Sequence, residues 1–150
     1  MKKEDEDAGT TQTRGSDPSI EIDVPGVRHA PQRRVLVVDD NVDAADSLAG
    51  LLRIMGHQVW LALDGHTAID LARRTAPELM LLDLSMPGMS GFEVASRLRE
   101  EPALDGLRIV AVTGFGQDET RELARESGFD AYVVKPMSPA NLEHLLGWQA

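Results

Sequence analysis

Apolar residues in this chain fall into short unbroken runs separated by stretches with helical spacing. The runs are Val35-Leu36-Val37-Val38, residues 59–63, Leu79-Met80-Leu81-Leu82, residues 109–112 (in a strand over 108–112 that Arg108 opens) and residues 131–134. Such runs, four or five residues long, read as strands buried on both faces. Between them the spacing changes. Residues 41–55 carry Val42, Leu48, Leu51, Leu52 and Met55 at helical intervals, and Gly56 stops them. After Asp64-Gly65 a second helix turns Ala68, Ile69, Leu71 and Ala72 inward and ends before Pro77. Residues 92–99 predict a third helix, which Pro102 separates from the next strand. Residues 118–127 predict a fourth, stopped by Gly128, and residues 139–146 a short last one. Strand and helix therefore alternate five times, which predicts an α/β fold. The strands form a parallel sheet with right-handed crossovers and helices on both faces.

Residues 1–32 lack this texture. A charge run (Lys2 to Asp7) is followed by Gly, Thr, Ser and Pro, with few apolar side chains. Such a segment buries too little surface to offset its ordering entropy, so a disordered tail is expected over 1–32 and one domain over 33–148. A docking peptide at Ile20-Glu21-Ile22-Asp23-Val24 has no further support in the sequence.

Charge narrows the choice of partner. Lys and Arg total 15 against 25 Asp and Glu, a net charge of −10. Nucleic acid demands a basic footprint, so this balance argues against it and suits a bound cation. The chain has no cysteine, which excludes disulfides and thiolate metal sites and fits an intracellular location. No apolar run approaches the ~20 residues that span a bilayer, and the charged N-terminus has no signal-peptide core. A cytoplasmic protein without a membrane partner is expected.

The candidate chemistry sits at the C-terminal ends of the strands. Asp39 and Asp40 follow the first strand, Asp83 closes the third, Thr113 follows the fourth and Lys135 the fifth. In a parallel sheet these ends share one edge, the edge where open α/β sheets bind ligands. Singly, each residue has a plainer role: Asp40 or Asn41 as a helix cap, Thr113 as a strand former, Lys135 as a solvated cation. The plain roles would have to hold at every strand end together. Asp83 is also badly placed to cap, because Pro87, Gly88 and Gly91 force a loop before the next helix. Clustered carboxylates repel and drive one another toward protonation unless a cation compensates. A hard divalent ion that prefers oxygen, Mg²⁺ above all, suits such a site. Lys135 and a hydroxyl add donors for an anion. A cation, an ammonium and a hydroxyl around one carboxylate suit phosphoryl transfer, with the carboxylate as nucleophile becoming an acyl phosphate.

Four segments carry a family resemblance: Val-Val-Asp-Asp at 37–40, Leu-Leu-Asp-Leu-Ser-Met-Pro-Gly-Met-Ser-Gly at 81–91, Val-Thr-Gly at 112–114 and Tyr-Val-Val-Lys-Pro at 132–136. Together and in this order they resemble the receiver domain of bacterial two-component response regulators. The resemblance implies a flavodoxin-like (βα)5 doubly wound sheet of strand order 2-1-3-4-5. It implies that Asp83 accepts a phosphoryl group from a phosphohistidine on a sensor histidine kinase or histidine phosphotransfer protein. Asp40 would ligate Mg²⁺ directly, Asp39 mainly through water, and Ser85 through its backbone carbonyl. Lys135 would pair with the phosphoryl group. Thr113 would move to hydrogen-bond it, and Tyr132 would be the aromatic switch that turns inward. Lys135-Pro136 would be cis. A face formed by the fifth strand and the last two helices would then bind an unidentified downstream protein, with room for a phosphorylation-dependent homodimer. Such a domain accepts a phosphoryl group and is not a turnover enzyme.

Some positions depart from the commonest family pattern. Ser85 is short, and Gly114 stands where Ala is frequent. Ser85 and Phe115 are expected to set part of the phosphoryl lifetime. The Thr-Gly-Phe-Gly-Gln run at 113–117 resembles receivers attached to hybrid sensor kinases. No output domain follows within these 150 residues, so direct action as a transcription factor is not expected.

Two other functions use related parts. A Mg²⁺-dependent phosphatase of the haloacid-dehalogenase type also has a nucleophilic Asp at a strand end. It wants a second Asp two residues later, and position 85 is Ser. A flavodoxin-like FMN binder could use the same sheet, but clustered carboxylates repel a phosphate without a metal. His29, His57, His66 and His144 lack metal-ligand spacing, and Met80, Met86 and Met89 read as packing residues.

Overall fold

The computed structural model describes residues 32–114 and 118–147. The tail expected over 1–32 lies outside the described residues except for Gln32, as do Phe115 and Trp148. Five strands are present: β1 (Arg34–Val38), β2 (Gln58–Ala62), β3 (Leu79–Asp83), β4 (Arg108–Thr113) and β5 (Ala131–Val134). The helices are α1 (Val42–Ile54), α2 (Gly65–Thr75), α3 (Gly91–Arg99), α4 (Asp118–Glu126) and α5 (Pro139–Leu146). A 3-10 turn at Pro102–Leu104, with Pro102 at its start, leads into β4.

All pairings are parallel, and the strand order is β2-β1-β3-β4-β5. The order reverses between β1 and β3, so the crevice of this doubly wound sheet opens above those two strands.

Side-chain alternation sorts the core into two layers. Leu36, Val38, Met80, Leu82, Ile109 and Ala111 face α2, α3 and α4. Val35, Val37, Leu79, Leu81, Val110 and Val112 face α1 and α5. Both faces of the central strands are covered, which is why their sequences are nearly unbroken apolar runs.

Polar side chains start the helices. Asn41 caps α1 by accepting from the Ala44 N–H at 3.0 Å, Asp64 caps α2 from Thr67 at 2.8 Å, and Ser90 caps α3 from Glu93 at 3.3 Å. Asp83 caps nothing; Ser90 is the cap of α3. The apolar spacing in α1 overstated its burial. Ala45, Ala49 and Leu52 face the core, whereas Val42 is 51% exposed and Leu51 39%. Small alanines let α1 lie close to the sheet, and the larger residues fall to its sides. Leu63 lies past the end of β2 and is exposed.

Candidate functional site

Asp39 prolongs β1 by donating its backbone N–H to the Ala62 carbonyl at 3.1 Å. Two residues past Val37, its side chain lies on the α1/α5 face. Asp83 ends β3 on that same face, opposite Val112 of β4. Both carboxylates are buried, while Asp40 is exposed. Carboxylate oxygens of Asp39, Asp40 and Asp83 all lie within 4.8 Å of one another. The three carboxylates at the ends of β1 and β3 thus lie together.

Lys135 follows β5 and reaches across this edge. Its Nζ lies 3.1 Å from Oδ2 of Asp39 and 3.8 Å from Oδ2 of Asp83. The Lys135-Pro136 bond is cis. The other oxygen of each buried aspartate accepts a backbone N–H. Asn41 donates to Asp39 Oδ1 at 2.9 Å, and Ser85 donates to Asp83 Oδ1 at 3.1 Å. Ser85 itself is exposed.

Burial, and then the nearby Asp39 carboxylate, push the Asp83 carboxyl up to about 6 against the pull of the Ser85 N–H and Lys135. One ammonium shared between two buried carboxylates leaves negative charge uncompensated. The three donors are hard oxygens at the end of β3 and just past the end of β1, so they fit a hard divalent cation such as Mg²⁺.

Glycine shapes the rim. A Cβ on Gly91 would lie 2.5 Å from the Asp83 carbonyl oxygen, so only glycine lets α3 begin this close to β3.

Thr113 and Tyr132 occupy the opposite face of the sheet. Thr113 is fully buried and sits two residues beyond Ala111, on the side of α4. Tyr132 pairs with Ala111 across β4–β5, packs partly against the same layer and is half-buried. The two are thus diagonal neighbours on one face.

Two features were not read from the sequence. The first is a groove of about 600 Å³ beside the carboxylates, between α1 and the segment after β5. Leu48, Leu51, Leu81, Val112 and Met137 give it an apolar lining, and Asp39, Asp83 and Lys135 form part of its wall. The surplus of large apolar residues on α1, beyond what its core face needs, was the available signal. The second is Arg121 of α4, whose guanidinium stands over the Tyr132 ring at 4.8 Å from the centroid. No local pattern in the sequence pairs those two residues.

A flavodoxin-like sheet with an acidic crevice and an ammonium at its switch point defines the class. The response regulator receiver domain model matches residues 35–146, and the chain belongs to that family. It is 33% identical over 106 residues to the polar-differentiation response regulator DivK of Brucella anthropi, spanning 71% of this chain and 86% of that protein. Among solved structures it is similar to the chemotaxis protein CheY4 of Vibrio cholerae, with a TM-score of 0.73 and 27% identity over 77% of this chain and 97% of that one. The receiver domain of the sensor histidine kinase PA1611 of Pseudomonas aeruginosa matches with a TM-score of 0.71 and 27% identity, over 77% of this chain and 95% of its own. That structure holds a magnesium ion in its active-site cleft. The role of the present chain is that of a phosphoacceptor receiver domain.

Proposed function

We propose that Asp83 is the phosphoacceptor, that Asp39, Asp40 and Asp83 hold Mg²⁺ with the backbone carbonyl of Ser85, and that the donor is a phosphohistidine. The donor is carried by a sensor histidine kinase or a histidine phosphotransfer protein. The observation that supports this best is the buried Asp83 carboxyl, raised to about 6, within 3.8 Å of Lys135 and inside a three-carboxylate cluster. Above that value it is mostly ionised and nucleophilic. One carboxylate oxygen forms a bond to phosphorus while the phosphorus–nitrogen bond breaks, and the histidine ring leaves with that electron pair. Bound Mg²⁺ would supply positive charge for the phosphoryl oxygens.

The chain's own residues do the rest. The Ser85 N–H orients one Asp83 oxygen, leaving the other directed toward Lys135. Lys135 is already shared between Asp39 and Asp83 and can turn to an incoming phosphoryl oxygen. Thr113 gives a hydroxyl to the same group, and Tyr132 turns inward behind it. The apolar groove beside Asp83 offers the donor protein a surface. The output is a changed protein-binding face on α4, β5 and α5, so the domain works as a switch and not as a turnover enzyme. A downstream protein or a second copy of the chain would read that face. A cytoplasmic location fits this role; among the described residues no helix is long and apolar enough to cross a membrane. Position 85 is Ser, where a haloacid-dehalogenase-type phosphatase needs an acid/base aspartate.

Intact mass after incubation with phosphoramidate tests the proposal. The wild type should gain a single phosphoryl adduct that requires Mg²⁺ and is lost in Asp83→Asn. An adduct that persists in Asp83→Asn would overturn it.

A further inference from the structure

We infer that Arg121 is a positioning residue: its stack on Tyr132 holds the ring against the inward turn and so sets how readily the site is captured in the phosphoryl-bound state. This rests on Asp83 as acceptor and Tyr132 as the inward-turning aromatic. The Arg121 guanidinium lies 4.8 Å from the Tyr132 centroid. A planar cation over an aromatic face is held by the ring's quadrupole.

α4 is shallowly packed. Only Ala124 among its residues is buried, and Leu123 is 47% exposed. Arg125 pairs with Glu122 inside the same helix and reaches nothing outside it through that bond. The neighbouring α3 is the contrast, with Gly91, Val94, Ala95 and Leu98 buried. Ala124 is the residue that α4 buries in the core, and the Arg121–Tyr132 stack joins the helix to β5.

Tyr132 is half-buried, with Thr113 diagonal to it on the same face. An inward turn of the ring withdraws it from beneath the exposed Arg121. The stack is then present before capture of the phosphoryl group and absent after it. A contact made in one state alone biases the equilibrium by its own strength. For an exposed cation–π pair that is about two- to five-fold.

The test is titration of the full chain with beryllofluoride in the presence of Mg²⁺, as a stable analogue of the acyl phosphate, followed by ¹⁹F NMR of the bound ion. Arg121→Ala should bind about two- to five-fold tighter than the wild type. Arg121→Lys, which keeps a cation, should return toward the wild type. In a Tyr132→Leu background, Arg121→Ala should change nothing, an outcome that a general loosening of α4 would not give. Unchanged or weaker binding by Arg121→Ala overturns the inference, and so does a gain of equal size without the ring. If the wild type fails to bind beryllofluoride, or binds it equally as Asp83→Asn, the acceptor reading falls first and takes this inference with it.

Discussion

Asp83 and His57 are both buried ionisable groups, and they bend the pH dependence of stability in opposite directions. The native Asp83 carboxyl takes its proton at about 6, against an ordinary value of 3.8. Between those values the native state binds more protons than the unfolded chain, so this group adds stability as pH falls through that window. Asp83→Asn removes the ionised group. The variant should therefore melt at a higher temperature than the wild type near pH 7.5, and the gap should close by about pH 4. His57 is 4% exposed, and its Nδ1 accepts the Arg33 backbone N–H at 2.9 Å. Its other nitrogen, Nε2, is buried without a hydrogen-bond partner. Burial, then the Arg33 charge, hold its pKa below 6.5, with Glu78 opposing. Here the unfolded chain binds the extra proton, so stability falls as pH drops below about 6.5. His57→Gln should lessen this acid loss in urea titrations at pH 7.5 and pH 5.5, and an undiminished loss would show that another group causes it. The burial of His57 was not legible from its neighbours in sequence. It follows from the way Arg33 crosses the start of β2, a contact between residues 24 apart.

Elements were legible where one chemical reason dominated. The apolar runs placed β1, β3 and β4 because sheets covered on both faces require such runs, and Gly56, Pro77 and Gly128 marked helix ends. Contacts made by long polar side chains were not legible, because their partners lie far off in sequence. Arg99 at the end of α3 is the clearest case. Its Nε donates to the Gly128 carbonyl at 2.9 Å, its Nη1 to Leu107 at 2.7 Å, and it pairs with Asp130. One side chain thereby joins α3 to the residues that precede β4 and β5. Arg99→Ala should cost about 2 kcal/mol in urea unfolding, since it leaves carbonyl groups short of a charged donor. A loss below about 0.5 kcal/mol would show that water replaces the clamp.

Across the molecule, the sheet turns a sequence pattern into a site. Asp39, Asp83, Thr113 and Lys135 are separated by up to 96 residues, yet parallel pairing brings their strand ends to one edge. That edge was legible from the alternation of strands and helices, which predicts a parallel sheet. The groove and the Arg121 stack were not, because they depend on how far each helix stands off the sheet. Uncompensated carboxylates at the edge also predict metal-linked stability. Mg²⁺ at about 100 times its Kd should add about 2.7 kcal/mol by mass action, read as a rise in Tm. Asp40→Ala should abolish most of that rise without changing the metal-free Tm by more than about 0.5 kcal/mol equivalent, since Asp40 is exposed. A rise of equal size in that variant would place the ion elsewhere.

The identity of the phosphorylated atom is the most direct point to settle. The phosphorylated chain would be reduced with borohydride, which converts an aspartyl phosphate to homoserine, and the digested peptides sequenced by mass spectrometry. Homoserine at position 83 alone, seen with phosphodonor and Mg²⁺ and absent without either, is the predicted result. Homoserine at position 39 or 40, or a phosphoryl adduct that leaves no homoserine at all, would contradict it.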